Sequence, residues 1–122
     1  MVTAVTSFGR SGLYDWLIQR ITAVVLAIYT FFVVGYVIAN PELSYAQWHG
    51  LFGHFWVRLF SLLALLSAAA HAWIGLWSVL TDYVTPLTLG RAATPVRLAI
   101  QMILGLVTLA FTLWGIEILW GL

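Results

Sequence analysis

The chain has 122 residues, of which 63% are hydrophobic and only 7% charged, with a mean hydropathy of +1.03. A soluble domain carries about 25% charged residues, so this composition excludes a water-facing surface and places the chain in lipid. A net charge of +1 argues against a nucleic-acid or polyanion partner, and the lack of cysteine excludes disulfides, c-type haem attachment, thiolate iron–sulfur ligation and thiol catalysis.

Residues 1–11 are small and polar and read as an arm. No cleavable signal peptide is expected, because no basic region precedes an apolar core and a small-residue cleavage site. Ser11 is a candidate cap for a helix over about 12–39, with Asp15 near its positive end. Residues 21–39 carry no charge, roughly 19 residues and so about 28 Å of helix. Asn40 and Pro41 end it, since proline cannot continue a helix. Ser44 and Gln47 form a capping-box pattern that opens a short interfacial helix over about 44–57, rich in Trp48, Phe52, Phe55 and Trp56. A second span is expected over about 59–82. A third, over about 95–120, is announced by Thr94 as cap and Pro95 at the first helical position.

The expected fold is an all-α membrane protein of three transmembrane helices, one domain over 1–122, within a larger helix bundle. Arg10, Arg20, Arg91 and Arg97 flank one side and Arg58 the other. The richer side is expected to be cytoplasmic, with the N-terminus inside and the C-terminus periplasmic.

The second span carries the chemistry. A histidine in hydrocarbon is costly and marks function by default, and His71 lies near mid-span. Phe60, Ala64, Ser67, Ala68, Gly75, Ser78 and Asp82 share its helical face. Except for Phe60 these are small or polar. Leu62, Leu65, Leu66, Ala69, Trp73, Leu76 and Leu80 occupy the opposite face, which suits lipid. Small residues beside a buried imidazole admit a flat ligand such as a porphyrin; they equally suit a histidine that packs across a helix interface. A bis-histidine haem would need its second ligand from another chain, because His71 is the one intramembrane histidine. Asp82 and Tyr83 lie about three turns further on. A carboxylate beside a phenol can hydrogen-bond a carbonyl-bearing ligand, or simply end the helix. Arg20 at the start of the first span can pair with haem propionates or Asp82, or snorkel to headgroups. His49 and His54 read as interfacial residues rather than a metal pair, and Glu117 as solvated or snorkelling.

The runs from Arg10 to Arg20 (RSGLYDWLIQR) and from His71 to Leu87 (HAWIGLWSVLTDYVTPL) resemble the hydrophobic membrane-anchor subunit of bacterial succinate dehydrogenase, respiratory complex II. The likeness covers nearly the whole chain. It implies a multi-pass protein of the bacterial inner membrane that partners a flavoprotein, an iron–sulfur subunit and a second small membrane anchor. It further implies one haem b shared with that second anchor, which supplies the other axial ligand, and a ubiquinone pocket shared with the iron–sulfur subunit. By that resemblance His71 is the haem axial ligand and Arg20 the basic residue near the propionates. Tyr83 is the phenol that hydrogen-bonds a quinone carbonyl, and Asp82 its acidic neighbour. The chain departs from enterobacterial members in a longer loop over 88–97, and in Ser78 and Thr85, which replace longer polar or basic residues. The rival reading is a haem-free structural anchor of another membrane redox complex. A transporter reading is weak, because the first and third spans hold no mid-membrane charge.

Overall fold

A computed structural model describes residues 12–121, and all regular structure among them is helical. Helix α1 runs over Gly12–Ala39, α2 over Tyr45–Gly53, α3 over Phe55–Tyr83, α4 over Pro86–Leu89 and α5 over Ala93–Trp120, with a 3-10 turn at Gly90–Ala92 before α5. Helices α1, α3 and α5 are each long and apolar enough to cross a membrane. The expected cap at Ser11 and the arm with Arg10 lie outside the described residues.

The ends of these helices follow from local chemistry. At the end of α1 the Asn40 side-chain amide donates to the Tyr36 carbonyl at 2.8 Å, so asparagine closes the helix before Pro41. The Ser44–Gln47 capping box is formed: the Gln47 N–H donates to Ser44 Oγ at 3.2 Å, and the Ser44 N–H to Gln47 Oε1 at 3.0 Å. Two boundaries depart from the sequence reading. The interfacial helix stops at Gly53, and α3 starts at Phe55 rather than near Leu59, with His54 in extended conformation between them. Thr94 does not cap α5, whose N-cap is Ala92, without a side-chain cap bond. The turn is made instead at Gly90, whose φ of 59° favours glycine, and Thr94 and Pro95 fall inside the first helical turn, where proline costs no backbone bond.

Helix α3 lies between α1 and α5 and is antiparallel to both. Against α1, Thr22 meets His71 while Tyr29 meets Ser61. Against α5, Gly105 meets Trp73 while Gly115 meets Leu65. Arg58, at the start of α3, stacks on the Trp120 ring at 5.7 Å, at the end of α5.

Burial is inverted relative to a soluble protein. Among the described residues the buried set holds five apolar residues, Ala64, Ile74, Leu80, Ala93 and Leu119, and five polar ones, Asp15, Thr22, Ser61, Ser67 and Gln101. Large apolar side chains such as Ile21, Ile28, Phe31, Leu106 and Phe111 point outward. Between helices in lipid there is no hydrophobic driving force, so small residues and hydrogen bonds hold the seams while leucine and phenylalanine face the acyl chains or partner helices.

Candidate functional site

Of the buried polar residues, Asp15, Thr22, Ser61 and Ser67 belong to α1 and α3, while Gln101 lies on α5 beside Trp73 and Leu80. His71 is partly buried about halfway along α3, and its Nδ1 lies 3.0 Å from the Oγ1 of buried Thr22 on α1. The same hydroxyl is 2.7 Å from the Ile18 carbonyl oxygen and 3.2 Å from that of Gln19. His71 Nε2 makes no hydrogen bond to a described residue. Beside the ring, Ala68 and Ala72 are exposed, while Ala64 and Ser67 are buried. The small-residue face of α3 is therefore used in two ways: one flank receives α1, and the other stays open beside the imidazole. Toward the N-terminus of α3, Tyr29 hydrogen-bonds Ser61 at 2.8 Å and its ring meets Phe60 edge-on at 5.0 Å. A groove of about 350 Å³, lined among others by Leu26, Ala64 and Ala68, opens alongside.

The other face of α3, expected to suit lipid, is packed in part, while Leu66 stays exposed. Leu80 is buried, and Leu65 and Trp73 pack on glycines of α5. Apolarity alone does not distinguish a neighbouring apolar helix from acyl chains, and a middle helix needs two packed faces.

Below His71, a cleft of about 320 Å³ between α1 and α3 is lined by Asp15, Trp16, Gln19, Arg20, Trp77 and Ser78, among others. Buried Asp15 Oδ1 and Gln19 Oε1 have no hydrogen-bond partner there. The Ser78 hydroxyl is turned back to its own helix, donating to the Ile74 carbonyl at 3.0 Å. Arg20 is exposed, with its guanidinium 5.5 Å from the centre of the Trp16 ring. Arg20 and Asp82 form no ion pair in the described chain. The cleft is rich in acceptors and suits water, a proton donor or a cationic side chain.

Asp82 and Tyr83 close α3. Both are exposed, Tyr83 by 71%, so the phenol points away from its own bundle. Its backbone is nonetheless fixed. The Thr88 hydroxyl is 2.9 Å from the Tyr83 carbonyl, and Arg97 donates from Nη1 to the Val84 carbonyl at 3.0 Å. Helix α3 is unbroken from His71 to Tyr83, so the three-turn offset between imidazole and phenol is kept. His71 and Thr22 thus share one seam, Arg20 sits on the cleft below, and Asp82 and Tyr83 lie at the helix end on an open surface. No group of three or more metal-ligating side chains occurs among the described residues.

Sequence reasoning missed Thr22, Thr88 and Arg97. Thr22 carried a weak signal, one of the few hydroxyls in a mostly apolar span, at a depth matching that of His71. Arg97 was counted only for its charge.

Comparison with known proteins agrees with this architecture. Residues 3–114 match the family model described as succinate dehydrogenase/fumarate reductase transmembrane subunit. A succinate dehydrogenase hydrophobic membrane anchor subunit of Coxiella burnetii is 40% identical over 111 residues, covering 91% of this chain and 90% of that protein. A protein of the same description from Rickettsia prowazekii is 27% identical over 85 residues, 65% of this chain and 63% of that one. With three membrane-length helices and a match along nearly its whole length, the chain belongs to the succinate dehydrogenase/fumarate reductase transmembrane-subunit family, as a membrane-anchor subunit of that oxidoreductase complex.

Proposed function

We propose that this chain co-ligates a haem b through His71 and lends Tyr83 and Asp82 to a ubiquinone pocket, so that electrons from succinate oxidation reach quinone in the bacterial inner membrane. The observation that carries the reading is the imidazole itself: at mid-membrane depth one ring nitrogen is bonded to α1, while the other has no partner in the described chain. The residues present fit a porphyrin. Exposed Ala68 and Ala72 leave the imidazole's open flank without bulk, as a flat macrocycle requires. His71 would hold the iron, and Arg20, on the cytoplasmic side of the ring, would face the propionates. A haem bound there supplies a one-electron carrier between the iron–sulfur subunit and quinone. A second membrane anchor would supply the other ligand to the iron, consistent with the apolar surface that α1 and α5 leave uncovered.

The quinone role rests on position. Two-electron reduction of a quinone also consumes two protons, and the carbonyl oxygen that gains charge needs a donor aimed at it beforehand. Tyr83 presents a phenolic O–H on a backbone held by Thr88, next to Asp82, on a surface that partner subunits complete. Asp82 orients a neighbouring donor or water and passes protons. With the arginine-rich end inside, this pocket lies near the cytoplasmic face, where the iron–sulfur and flavoprotein subunits dock.

Spectroscopy of the purified complex tests the haem assignment. His71→Ala is expected to abolish the b-type reduced-minus-oxidised spectrum, and normal haem content in that variant would discard the assignment. Tyr83→Phe is expected to impair succinate-driven quinone reduction by at least tenfold with the haem spectrum nearly unchanged; wild-type turnover would remove Tyr83 from the site.

A further inference from the structure

We propose that Thr22 is a positioning residue for His71: its hydroxyl accepts the Nδ1 proton of the imidazole, fixes the ring against α1, and leaves the Nε2 lone pair for iron. The proposal rests on the reading of His71 as a haem ligand. A count of protons carries it. A threonine hydroxyl has one hydrogen and two lone pairs. Thr22 Oγ1 lies 2.7 Å from the Ile18 carbonyl oxygen, the usual separation for O–H···O, and a carbonyl has no proton to give. The single Thr22 hydrogen therefore lies between these two oxygens, in the back-bond to residue i−4 that threonine readily forms in helices. What Thr22 turns toward His71, 3.0 Å away, is a lone pair. The Nδ1 atom must then carry the hydrogen. In a neutral imidazole the other nitrogen is unprotonated, and an unprotonated nitrogen is the form that binds a metal.

The reverse assignment fails on the same distances. Were Thr22 to donate to Nδ1, its oxygen would stand 2.7 Å from the Ile18 oxygen with no proton between them, and Nε2 would carry the hydrogen. Buried metal-ligating histidines commonly donate their second N–H to a carboxylate, backbone carbonyl or water, which sets tautomer and orientation and raises ligand basicity. Here a hydroxyl on the neighbouring helix takes that place. Because that hydroxyl donates to Ile18 in turn, the two bonds reinforce each other. The backbone of α1 is thereby linked to the imidazole, and the donated proton makes Nε2 a stronger electron donor, which favours ferric iron.

The assembled complex decides this with three proteins. In wild type, 15N magnetic resonance of histidine-labelled complex is expected to show His71 protonated at Nδ1, and protonation at Nε2 would overturn the proposal whether or not haem is bound. Thr22→Val keeps the shape and removes the acceptor. It is expected to raise the haem midpoint potential by about 59 mV, a tenfold change in the ferric-to-ferrous equilibrium, and to alter the ferric paramagnetic resonance spectrum. Thr22→Ser, which keeps the hydroxyl, is expected to restore both. A Thr22→Val haem with wild-type potential and spectrum overturns the role of Thr22. If Thr22→Val does not assemble, Thr22→Ala takes its place, with the same rise in potential expected and a wild-type potential overturning the role of Thr22. Loss of the parent reading shows itself separately, as haem retained in His71→Ala.

Discussion

Helix α3 is held by two seams of opposite character. Against α1 it uses hydroxyls and rings: Thr22 with His71, Tyr29 with Ser61, Phe60 with Phe32 and Tyr29. Against α5 it uses absence of side chain, with Leu65 and Trp73 seated on Gly115 and Gly105. A polar seam orients a functional side chain but tolerates small changes in spacing. The glycines of α5 let the two helices come close, so this seam chiefly fixes distance. One helix can thus be anchored on one side and equipped on the other. The largest expected effect comes from breaking the anchoring side. A Cβ on Gly115 would lie 2.8 and 2.9 Å from the Leu65 methyl carbons. Gly115→Leu is therefore expected to overpack the seam by roughly 1–3 kcal/mol or more, lowering the yield and thermal midpoint of the intact complex. The fraction that does assemble should keep a normal haem spectrum, since His71 lies on the other seam. Unchanged yield would mean that α5 is not held here.

A smaller effect separates hydrogen bonding from packing on the polar side. Tyr29 and Ser61 are joined at 2.8 Å, and interhelical hydrogen bonds in membranes average about 0.6 kcal/mol in double-mutant cycles, with a maximum of about 1.7. The cycle Tyr29→Phe and Ser61→Ala is expected to give a coupling in that range, measured by thermal inactivation of the complex. A coupling near zero would leave this end of the seam to the aromatic contacts alone.

How much of this was readable in the sequence depends on what each residue answers to. The spans were legible because they answer to lipid thickness, a constraint outside the chain. The Ser44–Gln47 box was legible because both partners lie within one turn. The start of α5 was misread because Thr94 and Pro95 look like a cap and first turn, while Gly90, with its positive φ, had already turned the chain. The α5 face of α3 was misread as lipid-facing for a deeper reason: lipid and an apolar neighbour select the same side chains. His71 stood out by its type alone. Thr22 did not, because its role depends on the antiparallel register of α1 and α3, which no local pattern encodes.

The smallest expected effect on assembly gives the most pointed comparison. Gly75 lies one helical turn beyond His71, on the side of exposed Ala68 and Ala72, and an added Cβ would find only Gln19 Nε2, at 3.7 Å, an ordinary contact. Unlike Gly115, this glycine is not required by its own chain. Helical side chains lean toward the N-terminus, so a methyl at position 75 would cover the surface beside the His71 ring. If a flat macrocycle occupies that surface, Gly75→Ala should change complex stability by no more than about 0.5 kcal/mol, yet shift the haem absorption band or its potential. Gly105→Ala, where Trp73 must yield at 3.3 Å, should do the reverse: a measurable stability loss with an unaltered haem. A haem indifferent to Gly75→Ala would place the macrocycle on another flank of His71, away from the small residues on which the open side of this seam is built.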